Sequence, residues 1–180
     1  MRMPTATFNN LKPEKKQLVT QALLREFSAH PFADAQVARI VKDAGIARGA
    51  FYKYFADLAD AYVYLYGVAM RDIHQHIDFQ QASGYTAAGY LAYTEQFLAS
   101  LADNPYRDLI RRHFTENEGA LPIPTALNTP EKLAALPADE WAATILSHEV
   151  IRQIMLYPEL KTKLLTKFTH TLHQLEGSHR

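Results

Sequence analysis

The feature that most constrains this chain is where its nine prolines fall: positions 4, 13, 31, 105, 122, 124, 130, 137 and 158. Proline has no backbone donor and clashes with the preceding turn, so it opens a helix or stands outside one. The stretches between the prolines are helix-length, and their apolar residues recur at three- and four-residue spacing. Period-two alternation rich in Val, Ile and Thr is absent, so no sheet is expected. The expected fold is all-α. With 180 residues, roughly 70% of the unfolded surface can be buried, enough for a core without staples.

The first helix is expected over 13–29, with Leu18, Val19, Ala22, Leu23 and Phe27 as its buried stripe. His30-Pro31 ends it, because a residue before proline is pushed out of the α region. A short helix over 34–43 follows, with Asp34 as N-cap and Val37, Ile40, Val41 and Ala44 inward. Gly45 supplies the turn, since a positive φ costs glycine little. A third short helix starts at Ala47. Longer helices are expected over 58–81, 86–102, 105–118, 138–157 and 159–176, with 119–137 a proline-rich loop holding one short helix.

The chain has no cysteine, which excludes disulfides, thiolate zinc sites, Fe–S clusters and a cysteine nucleophile. Residues 1–10 lack the apolar segment of a signal peptide. No apolar run approaches the ~18–20 residues that span a bilayer, so a cytoplasmic protein with no membrane partner is expected. Net charge is zero overall, but residues 1–60 carry nine basic and six acidic groups and the remainder ten and thirteen. A basic front end suits nucleic-acid contact through that end alone.

Two short helices around a glycine turn, the second aromatic and basic, form the helix-turn-helix pattern. Ile40, Ala44, Ile46, Phe51 and Tyr54 would lock the pair, leaving Ala47, Arg48, Gly49, Ala50, Tyr52 and Lys53 facing outward. Arg48 can fork onto guanine or reach phosphate, Tyr52 and Lys53 can hold phosphate, and the small residues let the backbone approach base edges. A capped helical hairpin with solvated basic residues fits the same pattern.

The run VARIVKDAGIARGAFYKYFADLADAY, residues 37–62, resembles the DNA-binding domain of TetR/AcrR-type transcriptional regulators. The resemblance rests on the turn Ala44-Gly45-Ile46, the run Arg48–Tyr52 and the aromatic set Tyr52, Tyr54 and Phe55. Three positions depart from the family pattern: Val41 replaces a small residue, Ala50 a Thr or Ser, and Leu58 a lysine that grips the DNA backbone. Each lost phosphate contact lowers the salt slope of binding by about 0.9. The resemblance thus implies weaker operator binding, or a larger share for the N-terminal arm with Lys12, Lys15 and Lys16.

It further implies a helix-turn-helix DNA-binding domain over 1–57 and a helical effector-binding and dimerisation domain over 58–180. Double-stranded DNA would be bound as a palindromic operator by a homodimer, with half-sites 34–36 Å apart. A small-molecule effector would release it, and repression is carried over from the family. Candidate pocket residues are Tyr62, Tyr66, Met70, Tyr93, Phe97, Phe114, Trp141 and His148, a soft and aromatic set, though for any single one of them ordinary core packing is the stronger expectation. The 138–157 helix is apolar all round, so one side can face the core and the other a second subunit. Leu146, Val150 and Ile154 with Leu164, Phe168 and Leu172 would make half of a four-helix dimer interface. A wholly internal helix is the alternative.

No cofactor and no metal site is expected. His170 and His173 share a helix face and could share a metal, but solvated side chains are the expected reading. His113 and His148 have no partner identifiable from spacing. G-x-S-x-G, P-loop, G-x-G-x-x-G and H-E-x-x-H are absent. Ser147-His148-Glu149 would fan apart on a helix and cannot form a triad. An enzyme is not expected. A helical protein–protein adaptor with degenerate DNA binding remains the second reading, and an all-α enzyme the third.

Overall fold

In the computed structural model, residues 4–75, 77, 86–121 and 130–177 are described. They are helical throughout, with no strand among them. The helices are α1 (Ala6–Asn9), α2 (Pro13–Ala29), α3 (Val37–Asp43), α4 (Arg48–Tyr54) and α5 (Leu58–His74). They continue with α6 (Ala87–Ser100), α7 (Arg107–Arg112), α8 (Pro130–Ala135), α9 (Ala138–Leu156) and α10 (Lys161–Gly177). The chain divides into two compact units, residues 1–72 with 105–122, and 73–104 with 123–180.

In the first unit α2 follows the expected bounds, with Pro13 at its opening and Val19, Ala22, Leu23, Glu26 and Phe27 buried. Leu18 is instead half exposed. Its place on the inward stripe is taken by Glu26, whose carboxylate has a structural task described below. Asp34 does not cap α3: it closes a 3-10 turn at Phe32–Asp34, and Gln36 stands at the N-cap without a side-chain cap bond. The reason is tertiary, since Glu26 Oε1 accepts the Gln36 backbone N–H at 2.7 Å. At the other end Gly45 has φ +63°. The Ile46 and Gly45 amides donate back to the Val41 and Lys42 carbonyls, a Schellman closure that only an αL residue permits.

Residues 105–122 join this unit through part-buried polar contacts. The Phe32 N–H donates to Asn117 Oδ1 at 2.9 Å, and Arg112 Nε donates to the Ser28 carbonyl at 2.9 Å. The expected single helix over 105–118 is α7 followed by a π-helical turn, His113–Asn117. The wider turn goes with the burial of three consecutive helix-face residues, His113, Phe114 and Asn117. The helix expected over 58–81 ends at His74, and residues 78–81 lie outside the described residues, as does 122–129 of the expected loop. α1 had no sequence expectation.

In the second unit α6, α9 and α10 pack round Ala87, Ala143, Phe168 and Leu172. A polar seam joins α6 to α9: Thr94 Oγ1 lies 2.6 Å from Ser147 Oγ and Tyr90 Oη 3.0 Å from Thr144 Oγ1. α9 is not wholly internal, because Trp141 and Ile145 are half exposed. No helix among the described residues is long and apolar enough to cross a membrane.

Candidate nucleic-acid interface

Helix α4 has seven residues, well short of the ~12–15 at which an isolated helix becomes even marginally stable. Its geometry is therefore set by what holds it. Phe51 and Tyr54 are buried, and Phe51 packs on Phe55 with centroids 5.5 Å apart. Ile40 and Ala44 of the preceding helix and turn are buried too, and Ile46 is partly so. This leaves Ala47, Arg48, Gly49, Tyr52 and Lys53 exposed on one side, with Ala50 half-buried at the edge. Those are the residues the pattern assigns to DNA.

The side chains of this face are ordered relative to one another. Arg48 Nη2 donates to Tyr52 Oη at 3.3 Å, and the guanidinium lies 5.7 Å from the Tyr52 ring centroid. Stacking of this kind holds a planar fork in place for bidentate contact. Gly49 has no atom within 4 Å of where a Cβ would stand, so glycine there leaves open space on the exposed face.

α3 is fixed by the Glu26–Arg39 pair. Arg39 Nε and Nη2 donate to the carboxylate at 2.9 and 2.6 Å, and Arg39 Nη2 also donates to the Asp34 carbonyl. Burial by itself would raise the Glu26 carboxyl. The Arg39 and Gln36 hydrogen bonds and the Arg39 charge outweigh it and hold the group below its ordinary value.

Of the N-terminal lysines, Lys12 is exposed. Lys16 is engaged within the chain, donating to the Asn9 carbonyl at 2.9 Å and standing 5.7 Å from the Phe8 ring centroid. Leu58, at the position of the missing family lysine, is half-buried in the first turn of α5. That turn is capped by Asp57 Oδ1, which accepts the Asp60 N–H at 2.8 Å, while Asp60 Oδ2 accepts the Ala56 N–H at 3.0 Å.

The expected pocket residues fall into three groups. Tyr62, Tyr66 and Phe114 are buried in the first unit, with Met70 half-buried. Around Tyr62 lies a cluster that spacing could not reveal: its hydroxyl is 3.3 Å from His113 Nδ1 and accepts from Asn117 Nδ2 at 3.3 Å. Burial pushes the Tyr62 phenol up to about 12. It stays protonated at neutral pH, and the direction of its bond to His113 Nδ1 follows the His113 tautomer. Phe97 is buried and Tyr93 half-buried in the second unit, where Tyr93 Oη meets His74 Nε2 at 3.2 Å. Trp141 and His148 are exposed on α9. Side chains around a helix apolar on all faces cannot be sorted by periodicity alone.

The interface set also divides. Ile154, Phe168 and Leu172 are buried within the chain itself, whereas Leu146, Val150 and Leu164 are half-buried. A side chain already covered by its own chain has little surface left for any other contact. The exposed apolar residues are Trp141, Ile145, Leu156, Tyr157 and Leu160. Ser147 bonds to Thr94, and Glu149 pairs with Arg152 at 2.8 Å, so no triad assembles. Among the described residues no group of three or more His, Asp or Glu could hold a metal.

A buried hairpin of short helices, closed by an αL glycine and presenting Arg48, Tyr52 and Lys53, defines a helix-turn-helix protein. Residues 19–60 match the family model of the bacterial regulatory proteins of the tetR family, so this N-terminal segment is similar to the corresponding segment of that family. The fold is similar to that of a TetR family transcriptional regulator from Chloroflexus aurantiacus, at 19% identity, 98% coverage of each chain and a TM-score of 0.57. A protein from Pseudomonas aeruginosa described as a transcriptional regulator is 18% identical over 96% of this chain and 94% of its own, with a TM-score of 0.43. No curated protein sequence matches the chain.

Proposed function

We propose that this protein is a ligand-responsive transcriptional repressor that binds a palindromic operator as a homodimer and acts in the cytoplasm. The observation that carries the reading is the exposed Arg48–Tyr52–Lys53 face of α4 on a hairpin of the tetR type. Residues 1–57 supply the DNA contacts, with Ala47, Gly49 and Ala50 allowing close approach and Lys12 adding charge. Residues 58–180 supply effector binding and dimerisation. The outer face of α9, with Trp141 and Ile145, is the surface for the second subunit, backed by Leu146 and Val150.

The aromatic surroundings of Tyr62, Tyr66, Met70 and Phe114, with polar groups at Tyr62, His113 and Asn117, support an effector that is apolar or planar and carries a hydrogen-bonding group. Effector and operator would be linked through a coupling of about 1–3 kcal/mol. Selection of bound duplexes from a random library, at two salt concentrations and with Arg48→Ala alongside, tests the reading. An enriched palindrome lost in the variant is the expected result. The absence of enrichment at low salt favours the adaptor, which Leu58 in the place of a backbone-gripping lysine also supports.

A further inference from the structure

The last turn of α4 is held by residues that precede the helix-turn-helix altogether. A helix leaves its final carbonyls without intrahelical donors. In α4 the Phe51 carbonyl is taken by the Phe55 N–H. The last two carbonyls of the helix are met from the N-cap of α1: Thr5 Oγ1 donates to the Lys53 carbonyl at 2.6 Å, and the Thr5 N–H donates to the Tyr54 carbonyl at 3.0 Å. The same Thr5 Oγ1 accepts the Phe8 N–H at 3.3 Å and so caps α1. Phe8 is fully buried, with ring centroids 5.7 Å from Tyr54 and 4.8 Å from Phe55. Lys16 closes the arrangement from α2 through the Asn9 carbonyl.

A helix too short to hold its own geometry takes its orientation from such contacts. We propose that Thr5 is a positioning residue for DNA binding, acting as a clamp on the C-terminal turn of α4 that sets where Tyr52 and Lys53 present themselves to the phosphate backbone. Thr5 touches no DNA in this role; it acts through the Lys53 carbonyl. The inference rests on the reading of α4 as the DNA-contacting helix.

The test uses the full chain and a mixed-sequence DNA duplex, with affinity measured across a salt series and thermal stability alongside. Thr5→Val keeps the shape and the backbone bond to Tyr54 but removes the hydroxyl. It is expected to weaken binding about fivefold, which corresponds to about 1 kcal/mol, one hydrogen bond. It should also lower the salt slope by about 0.9, as loss of one phosphate contact does. Thr5→Ser is expected to restore both. A role confined to stability would move the melting temperature and leave the slope unchanged, which overturns the proposal. So does wild-type binding by Thr5→Val while Arg48→Ala weakens it. If Arg48→Ala has no effect either, the DNA reading of α4 fails and the positioning role falls with it.

Discussion

Glu26 on α2 and Arg39 on α3 meet through two arginine nitrogens, at 2.9 and 2.6 Å, and the same carboxylate accepts the backbone N–H of Gln36. One buried anion thus satisfies a helix start, a guanidinium and the packing angle between the two helices. Glu26→Gln is expected to destabilise the fold by about 1–3 kcal/mol, the cost of weakening a charged hydrogen-bond set. Arg39 is 39% exposed, and solvent screening places the effect toward the lower end. The carboxyl is held below its ordinary value in the fold, so its contribution is fully present above the unfolded value and is lost as pH falls through the folded one. Acid unfolding monitored by circular dichroism should therefore show a shallower pH dependence in Glu26→Gln than in the wild type.

Gly49→Ala separates stability from function. The glycine is exposed, helical and without a neighbour within 4 Å of a Cβ. Alanine there should stabilise the fold by roughly 0.5–1 kcal/mol through backbone entropy. The added methyl stands on the face that approaches DNA, so affinity should fall as the melting temperature rises. Parallel thermal melts and DNA titrations check both signs.

Tyr62→Phe removes the hydroxyl between His113 and Asn117. Two buried polar groups lose a partner, and a loss of about 1–3 kcal/mol is expected in denaturant unfolding. The same variant should raise the dissociation constant of any effector that releases DNA, read by titration of a preformed DNA complex.

Leu58→Lys places a cation at the first turn of α5. It should steepen the salt dependence of DNA binding by about 0.9 per phosphate reached. A lysine at a helix N-terminus opposes the dipole, so stability should drop by about 0.3–1 kcal/mol. Fluorescence anisotropy across a salt series measures the first effect and a thermal melt the second.

Ile145→Glu tests the outer face of α9. Ile145 is 50% exposed, so the substitution should leave the monomer fold intact while sedimentation shifts from dimer to monomer. A wild type that sediments as a monomer would remove the homodimer from the proposed function.

Periodicity and punctuation made much of this architecture legible. Pro13 and His30-Pro31 bound α2 where the backbone rules require, and Gly45 sits at φ +63° because the Schellman turn needs it. The outward set on α4 also followed from spacing, since burying Phe51 and Tyr54 forces Arg48, Tyr52 and Lys53 to the other side. These are local consequences: a residue's own φ and its angular position on a helix are fixed by neighbours within a few positions.

What tertiary structure alone decided involves partners far apart in the chain. Glu26 replaced Asp34 as the acceptor at the start of α3, His113 found Tyr62 across 51 positions, and Thr5 reached Lys53 across 48. Phe168 and Leu172 are buried in the chain's own core, and Trp141 is half exposed. An apolar stripe says that a face will be covered, not by what. A hydrogen-bonding side chain likewise carries no mark in sequence of which distant backbone group it will satisfy. Those choices depend on which surfaces the packed helices bring within 3 Å or so of one another.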